Sequence, residues 1–541
     1  MDFARRRKNQ VAEKLKGKSQ ISGWVLPKQS TSFAPDGTWT NIDLDVTPPE
    51  RRIWTAWSVL GYWVSDILSA QSWQIGASVL AIGLTWREAV WCVMVGSIVM
   101  SFAIAFNGAP GAYLRVCFPV WIRSSFGYQF AKFAIVCRMV TALFWHAIQT
   151  YTGSTALTIM LTAIWPSYAR IPNHLPASAG VTSQGLLSHF LFWSIQLPFL
   201  LIQPHKLKWF FMFKAFITIT TAVGTTIAIC RMADGTGSIW NQQPTVTGWT
   251  RSWLIVSTLT AQTGSWSTVG TNISDFTRYV KNPRTTFFQC AFFPLICFTF
   301  SFLGIISASA SKVVYGEYIW DPITIASHWT SAAGRAGMFY CGLGWMVAQI
   351  GVNVSANVIS VSNDMASLFP KYINLRRAAL IATIIGGWIM VPWKIITSAE
   401  SLLNFMASLG IFLAPIIGIS IADYWIVKKR RIDVPSLYRP HGRYHYVKGS
   451  NWRAAVAMLV SIGPTLPSLA KNVDSSVNIG GAQYIADLVW YYGFLSAFLM
   501  YVGLNWVWPA TESLVFKDEL VLDGELQVEI VVDEKAEMEK H

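Results

Sequence analysis

Long apolar segments recur along the whole chain, and short polar or charged stretches separate them. Each segment is close to the roughly 20 residues that an α-helix needs to cross about 30 Å of hydrocarbon. A transmembrane β-barrel shows shorter segments, in which apolar and polar residues alternate. The pattern predicts an all-α, polytopic membrane protein with twelve transmembrane helices, over residues 54–82, 88–106, 130–164, 184–203, 208–230, 252–279, 286–310, 338–362, 377–394, 400–426, 453–471 and 484–508.

The composition agrees with this pattern. Of the 541 residues, 53% are hydrophobic and 13% are charged, against about 25% charged residues in a typical soluble domain. The net charge of +14 does not indicate nucleic-acid binding, because about 31 of the 42 lysines and arginines lie on the cytosolic side when both termini are cytosolic. We expect a lipid bilayer, and no nucleic acid, as a partner.

Two of the predicted spans carry polar, glycine-rich interruptions near their middle. The first contains LGYWVSDILSAQSWQIGAS (60–78), and the sixth contains TAQTGSWSTVGTNISDFTRY (260–279). Irregular backbone at membrane depth persists only where protein or a water-filled cavity satisfies its hydrogen bonds. Because the interruptions are five spans apart, they indicate two inverted five-helix repeats with substrate and coupling ion at the breaks. The alternative for either segment alone is a close-packed, glycine-rich helix.

The third span carries an aromatic and an amide side chain on one face. Trp145 and Gln149 are four residues apart and point together. This pair suits a planar, uncharged heterocycle with –NH–CO– edges, because the indole stacks on the ring and the amide both donates and accepts hydrogen bonds. Trp266, at the sixth-span break, is placed to close the opposite face. His146 points elsewhere, and we expect either a packed, hydrogen-bonded histidine or a proton-handling group.

The eighth span carries a further polar face. Asn353 and Asn357 are four residues apart, and Ser360 and Asp364 roughly continue the same face. An unpaired amide in hydrocarbon costs several kcal/mol, so these side chains must meet one another, water, a ligand or a neighbouring helix. The sequence leaves open which of these partners each asparagine has.

These residues lie in stretches that resemble nucleobase–cation symporter family 1, in its fungal uracil/allantoin permease branch, over nearly the whole of residues 25–510. The similar stretches are TPPERRIWTAW (47–57), YWVSD (62–66), SWQIGASVLAIGLTWREA (72–89), FWHAIQTYTG (144–153), IPNHLPASAGVTS (171–183), NISDFTRYVKNPR (272–284), VSANVISVSNDMASLFPKYINLRRAA (354–379) and GISIADYWIVKKRRID (418–433). The resemblance implies a LeuT-like core of two inverted five-helix repeats, followed by two further helices.

The same resemblance implies a substrate site. It puts Trp145 and Trp266 on the two faces of the substrate ring. It puts Gln149 and Asn357 at the hydrogen-bonding edges of that ring, with Asn353 nearby.

A cation position is also implied. In the family it is formed by backbone carbonyls, here those of Ser65, Leu68 and Ala348, and by two hydroxyl-bearing side chains, here replaced by Gly351 and Val352. Neither of these two residues has a side-chain oxygen, whereas a hard cation such as sodium requires several oxygen ligands. We therefore expect proton rather than sodium coupling, as the fungal branch implies, and no bound cofactor or metal.

Several charged or gating residues have open roles at this point. Asp66 is either a proton carrier or a cap of the second half-helix, and His146 is the other possible proton carrier. Asp275 and Arg278 are expected to form a gate or a structural ion pair. Met406 matches the neighbourhood of the family's tenth-helix gate. Three basic residues within spans are expected to snorkel or to pair: Lys132, Arg138 and Lys214.

The implied function is proton-coupled import of a planar heterocycle of the uracil, allantoin or uric acid class by a secondary active transporter. Uridine, thiamine and nicotinamide riboside are alternative substrates of the same branch. A membrane-embedded enzyme is disfavoured, because the eight histidines are scattered rather than grouped at metal-ligand spacing with other ligands. A nutrient sensor that binds without transporting remains a further hypothesis.

The expected organisation follows from this architecture. Residues 1–50 and 511–541 are expected to be cytosolic tails, the second acidic, with residues 51–430 as the transport core and 431–510 as a cytosolic loop with helices eleven and twelve. We expect no cleavable signal peptide, because the N-terminal residues are polar and basic and lack a short apolar core. Seven cysteines in or near spans without a CxxC motif argue against a disulfide framework or zinc site. We expect a plasma-membrane location, with candidate ubiquitin acceptors that would recruit endocytic machinery at Lys14, Lys16 and Lys18, or simply solvated lysines.

Overall fold

The computed structural model describes residues 24–29, 31, 33–35, 40–202, 204–473 and 476–515. Within these ranges the chain folds into helices and forms no β-strand. The predicted all-helical, multi-pass architecture is confirmed by seven helical stretches that are long and apolar enough to cross a membrane: Trp86–Leu114, Ala131–Ile164, Lys208–Met232, Pro283–Tyr315, Ala332–Leu368, Ala399–Val427 and Trp452–Asn472.

Some helices follow one another directly, and longer segments separate others, as between Ile164 and Ser183. In chain order the α-helices are α1 Ala56–Ile67, α2 Ala70–Ala81, α3 Trp86–Leu114, α4 Phe118–Trp121, α5 Arg123–Phe126, α6 Ala131–Ile164, α7 Ser183–Leu201, α8 Lys208–Met232, α9 Gly248–Gly264, α10 Ser267–Asn272, α11 Ser274–Thr277, α12 Gln289–Tyr315, α13 Pro322–Ser327, α14 Ala332–Val352, α15 Ile359–Leu368, α16 Leu375–Ile384, α17 Ala399–Ile421, α18 Trp452–Ile462, α19 Leu466–Val473, α20 Ala482–Asp487 and α21 Val489–Val507. Single π-helical segments follow α14, α16 and α17, at Asn353–Val358, Ile385–Ile389 and Ala422–Val427.

The break predicted in the first span separates α1 from α2 at Leu68 and Ser69. Leu68 leaves the helical region, with φ −71° and ψ 80°, and the Ser69 side chain accepts a hydrogen bond from the backbone N–H of Ser72. A serine at this position supplies the acceptor that the first N–H groups of a helix need. The cap of α2 is therefore Ser69, and the alternative that Asp66 caps this half-helix is wrong.

The break predicted in the sixth span separates α9 from α10 at Ser265 and Trp266. Gly264, the last residue of α9, approaches α17 so closely that a Cβ on it would lie 2.6 Å from the carbonyl oxygen of Met406. A second irregularity, at Ile273, separates α10 from α11. Both predicted interruptions are thus breaks in the backbone of the helix.

Three predicted spans differ in extent from the helices. Residues 88–106 lie inside the longer α3, which ends where Arg115 adopts a left-handed φ of 63°. Residues 377–394 are not one continuous helix, because α16 passes into a π-helical turn and Val391 adopts a left-handed φ of 47°. Residues 484–508 are divided between α20 and α21. A run of apolar residues indicates which segment can cross the membrane, but it does not define the residues at which the helix begins and ends.

Small residues bring α2 and α12 into close contact beside the first break. A Cβ added to Gly76 would lie 2.7 Å from the carbonyl oxygen of Ser301, and one added to Gly304 would overlap the carbonyl oxygen of Trp73. The Ser301 hydroxyl donates to the carbonyl of Ser72 at 2.7 Å across the same contact. Close backbone approach through small residues is typical of helices packed within membranes. The second half of the first span is thereby held against α12.

The described residues form two fully buried ion pairs. Arg138 of α6 pairs with Asp364 of α15 and so connects two helices, whereas Asp423 pairs at 2.6 Å with Lys428, at the end of its own π-helical segment. Removing one partner of a buried pair leaves an uncompensated charge, at a cost of about 3–5 kcal/mol. Pairing, and not snorkelling, is therefore the state of Arg138, whereas Lys132 donates to a neighbouring glutamine at an exposed position.

The expected ion pair between Asp275 and Arg278 is wrong. The Asp275 carboxylate accepts hydrogen bonds from the backbone N–H of Phe118, at 2.8 Å, and from the Asn272 amide, at 3.1 Å. Arg278 donates to the carbonyl of Asp43 at 3.0 Å. The acidic group therefore ties α11 to α4, and the guanidinium binds the segment before α1.

Part of the predicted N-terminal tail packs against the helical core. Leu44 is buried, and its carbonyl accepts a hydrogen bond from the Tyr438 hydroxyl at 2.9 Å. Leu26 donates its backbone N–H to the carbonyl of Lys371 at 2.9 Å. The predictions for the rest of the two tails concern residues outside the described ranges. They are residues 1–23, which include Lys14, Lys16 and Lys18, and residues 516–541 of the acidic tail.

We expect Gly76→Ala to lower the free energy of unfolding by about 1–3 kcal/mol, because the added methyl group would overlap the carbonyl of Ser301. Gly61→Ala is the matched control, since a Cβ at Gly61 in α1 meets nothing within 4 Å. Thermal unfolding of both variants in detergent, followed by intrinsic fluorescence, measures the difference. Equal melting temperatures for the two variants would contradict the close contact of α2 and α12.

Candidate functional site

The two broken helices enclose a cavity together with the third and eighth spans. The cavity contains about 550 Å³ of space free of protein atoms, part of which is open to solvent. Its walls come from both helix breaks, from α6 and from the helices of the eighth span. The lining residues are Asp66, Ser69, Gln71, Ser72, Ile75, Trp145, Gln149, Ser265, Trp266, Thr268, Val269, Asn272, Val352, Ala356, Asn357 and Ser360.

Both tryptophans predicted to face a substrate ring line this cavity. Trp145 of α6 packs edge-on against Phe405, with ring centroids 5.6 Å apart. Trp266, at the sixth-span break, packs edge-on against Phe293 at 5.1 Å. Edge-to-face contacts of this kind stabilise aromatic side chains in one orientation. Aromatic neighbours therefore hold one indole of the third span and one indole of the sixth-span break at the wall of the same cavity.

Unsatisfied polar atoms converge on the cavity. Oε1 of Gln149, Oδ1 of Asp66 and Oγ1 of Thr268 are buried, and no described residue forms a hydrogen bond with them. All three residues line the cavity. Because leaving a buried polar atom without a partner costs about 1–3 kcal/mol, such atoms are rare in folded proteins. Their arrangement is suited to a polar ligand or to water.

The two asparagines of the eighth span have different positions. Asn357 lines the cavity, whereas Asn353 is absent from its wall. The Asn353 amide donates to Thr150 Oγ1 at 3.2 Å and to Gln196 Oε1 at 3.1 Å, and its oxygen accepts from the Asn357 amide at 2.9 Å. The structure therefore brings Trp145, Gln149, Trp266 and Asn357 together and places Asn353 one layer behind them.

A polar network joins the cavity to the buried Arg138–Asp364 pair. The Asn272 amide donates to Ser360 Oγ at 2.7 Å, and Arg138 donates to the Ser360 carbonyl at 2.6 Å. This network connects the sixth span with the third and eighth spans. Sequence reasoning did not select Asn272 or Thr268 as site residues. Both lie in the polar interruption of the sixth span, but its overall polarity does not reveal which side chains point inward.

A second polar connection links α2 to the third and eighth spans. The Gln71 amide donates to Thr152 Oγ1 at 2.9 Å and accepts, through its oxygen, from the Gln349 amide at 3.1 Å. Gln71 also lines the cavity. The second half of each broken helix, α2 and α10, is thus hydrogen-bonded to the eighth span.

A lysine lies at the position that the resemblance assigns to a cation. The ammonium group of Lys214, in α8, donates to the carbonyl of Ser65, and a Cβ added to Gly351 would overlap the Lys214 side chain. Asp66 follows Ser65 directly and interacts electrostatically with Lys214. Lys214 is fully buried, so the expectation that it snorkels is wrong.

The other residues of that position are also buried. Leu68 and Ala348 are almost inaccessible, and Val352 lines the cavity with an apolar side chain. Gly351 is the residue whose lack of a side chain admits the lysine. Where the resemblance implies a hydroxyl-bearing side chain, Gly351 therefore leaves space that the Lys214 side chain of α8 occupies.

His146 and Met406 are absent from the cavity wall. His146 is fully buried, and its ring lies where a Cβ on Gly386 would be. Met406 is fully buried in an apolar cluster with Trp145, and its carbonyl contacts Gly264 of α9. Met406 thus packs behind one indole and against the end of the broken sixth span.

Comparisons with known proteins agree with this architecture. A family model described as permease for cytosine/purines, uracil, thiamine and allantoin matches residues 46–493. The chain is 37% identical to an uncharacterized permease of Schizosaccharomyces pombe, over 94% of this chain and 90% of that protein. It is 30% identical to the allantoin permease of Saccharomyces cerevisiae, over 87% of this chain and 76% of that protein.

A solved structure shares the fold. The structure of Mhp1, a nucleobase-cation-symport-1 family transporter, in a closed conformation with bromovinylhydantoin bound, matches with a TM-score of 0.68. The match covers 87% of this chain and 98% of Mhp1 at 19% sequence identity. The family model, the permease relatives and this shared fold lead to one conclusion: the chain belongs to the nucleobase–cation symporter 1 family, the multi-pass membrane permeases for cytosine/purines, uracil, thiamine and allantoin.

Proposed function

We propose that the protein imports a planar, nucleobase-related heterocycle together with a proton, by alternating access. The observation that carries this proposal is the position of Trp145 and Trp266, which come from the third span and the break in the sixth and line one cavity. In this proposal the indoles stack on the two faces of the ring. Gln149 and Asn357 bind its polar edge, and Asn353 supports Asn357 from behind.

The substrate class that fits best is that of uracil, allantoin and uric acid. Such rings are flat, uncharged or delocalised, and carry adjacent N–H and C=O groups. The unsatisfied atoms of Gln149 and Thr268 match this chemistry, because an amide and a hydroxyl can each meet a donor or an acceptor. Uridine, thiamine and nicotinamide riboside are the alternative substrates, and each would place a bulkier substituent in the same cavity.

Three observations support proton coupling over sodium coupling. The ammonium group of Lys214 already binds the carbonyl of Ser65. Gly351 and Val352 contribute no side-chain oxygen, so the residues present do not fit a sodium ion, which requires several oxygen ligands. Asp66 faces the cavity and interacts with Lys214. We infer that the Asp66–Lys214 pair takes up and releases the transported proton.

Alternating access requires contacts that form on one side while they break on the other. The Asn272–Ser360 hydrogen bond joins α10 to the eighth span, and the Gln71–Gln349 hydrogen bond joins α2 to the same span. In an inverted repeat these second half-helices run to opposite sides of the membrane. We propose the first contact as part of the inner gate and the second as part of the outer gate, with Met406 of α17 as a further gate residue.

The proposed topology has twelve transmembrane helices in the plasma membrane and both termini in the cytosol. Residues 51–430 form the transport core in this arrangement, and residues 431–510 add helices eleven and twelve. Residues 1–50 and 511–541 would be cytosolic tails that offer lysines to ubiquitin and the endocytic machinery. The excess of lysine and arginine on one set of loops supports this orientation.

Uptake into proteoliposomes tests the proposed coupling. We expect labelled uracil, allantoin or uric acid to accumulate unchanged under an imposed inward proton gradient, and an inward sodium gradient at equal pH to add nothing. Accumulation that depends on sodium would contradict the proposed role of Lys214. Binding without accumulation would indicate a sensor, and chemical conversion of the label would indicate an enzyme.

The stacking role of Trp145 predicts a graded series of variants. Trp145→Phe keeps an aromatic face, so we expect a modest rise in the KM for uptake, whereas Trp145→Ala should raise it by about tenfold or more, because base–aromatic stacking contributes roughly 1–3 kcal/mol. Surface expression, measured with a fluorescent tag, controls for folding. Equal KM values for the two variants would contradict the stacking role.

The contact between Lys214 and Gly351 predicts a coupled pair of substitutions. Gly351→Ala should destabilise the protein, because the new methyl group overlaps the lysine side chain. In a Lys214→Ala background, the loss of unfolding free energy caused by Gly351→Ala should be smaller by about 1 kcal/mol, or should disappear. Melting temperatures of the four proteins in detergent give this difference. Additive effects would mean that the ammonium group does not occupy the space beside Gly351.

A further inference from the structure

A single backbone carbonyl sets the direction of a hydrogen-bonded relay behind the cavity. The Thr150 hydroxyl donates its hydrogen to the backbone carbonyl of His146 at 2.7 Å. A carbonyl oxygen can only accept, and a hydroxyl has one hydrogen to donate. Thr150 Oγ1 is therefore restricted to accepting every other hydrogen bond that it makes.

This restriction orients two buried amides. Gln196 and Asn353 both approach Thr150 Oγ1, at 3.1 Å and 3.2 Å. Each must turn its NH₂ group toward the hydroxyl oxygen, since that oxygen has no hydrogen left to give. The Gln196 oxygen then accepts the second amide hydrogen of Asn353, at 3.1 Å. Each of these three contacts then joins one donor to one acceptor.

The relay ends at the cavity. With its NH₂ group committed, Asn353 presents its oxygen to Asn357, which donates its own NH₂ group at 2.9 Å. Asn357 lines the cavity, and this contact leaves its carbonyl oxygen free to accept from a ligand, beside the second hydrogen of its NH₂ group. Reversing Asn357 alone would set two oxygens against each other in a buried site of low dielectric constant. The amide that meets the substrate therefore has a defined polarity.

We propose that Thr150, Gln196 and Asn353 are positioning residues that hold Asn357 as a hydrogen-bond acceptor, so that the site selects heterocycles that donate a ring N–H. This inference rests on the proposed function and deepens it, because it distinguishes lactams and imides from rings whose nitrogens carry no hydrogen. The relay does not fix the orientation of the Gln149 amide. Its oxygen has no partner among the described residues, so this amide can turn to match either a carbonyl or an N–H beside the selected donor.

The test compares two ligands in binding to the purified protein. Uracil donates ring N–H groups, whereas dimethyluracil, in which both ring nitrogens carry methyl groups, offers only carbonyl acceptors. Competition against labelled uracil gives the ratio of the two affinities for each variant. Any steric effect of the methyl groups is common to all variants, so a change in this ratio reports the polarity of the site.

Three substitutions of comparable residues on α6 separate the relay from general effects. Thr150→Val keeps the shape and removes the hydroxyl, so that Asn353 and Asn357 are free to reverse, and we expect the preference for uracil to fall by about tenfold. Thr150→Ser keeps the hydroxyl and should keep the ratio. Thr158→Val is the matched control. Thr158 also donates to the carbonyl four residues before it, that of Ser154 at 2.9 Å, but among the described residues no side-chain amide donates to its hydroxyl.

Each outcome decides for or against the relay. An unchanged ratio in Thr150→Val, with uracil still bound, would overturn it, as would equal falls in Thr150→Val and Thr158→Val. Wild-type protein that binds dimethyluracil as tightly as uracil, or that binds no uracil, would also overturn it. Failure of the proposed function is a separate result, in which no heterocycle enters proteoliposomes under a proton gradient.

Discussion

Unpaired backbone groups inside a membrane are the constraint on which this structure depends. Where the chain leaves the helix at Leu68 and at Trp266, its amides and carbonyls need partners that hydrocarbon does not supply. The Ser69 side chain caps one half-helix, and the ammonium group of Lys214 takes the carbonyl of Ser65. Ser69 also lines the cavity. The first break and one wall of the candidate site therefore depend on the same side chain.

The polar contacts around the cavity differ in how easily they can be exchanged. The buried Arg138–Asp364 pair links the third and eighth spans, and separating it would leave a charge without compensation. Single neutral hydrogen bonds, such as those from Asn272 and Gln71, contribute only about 1 kcal/mol each. A transport cycle in this protein is therefore expected to keep the ion pair intact and to exchange the neutral bonds at α2 and α10.

Sequence reasoning recovered the features that depend on local pattern. The apolar segments, the two breaks, and the shared faces of Trp145 with Gln149 and of Asn353 with Asn357 all follow from residue type and helical periodicity. It was wrong where helix geometry changes without a change in hydrophobicity, as in residues 377–394. It was also wrong where a charged group had a choice of partners, as for Asp275 and Arg278, because neighbours in sequence are not the strongest partners when other helices surround them.

The sequence by itself determined that the chain crosses a membrane repeatedly and breaks two helices at membrane depth, because apolar length and local polarity are properties of a continuous segment. Only the tertiary structure decided which groups meet: Lys214 with Ser65, 149 residues away, and Asn272 with Ser360, 88 residues away. Such pairs form because burial removes water as a competing partner and leaves each polar atom with whatever the packed helices bring near it. No local pattern contains that information.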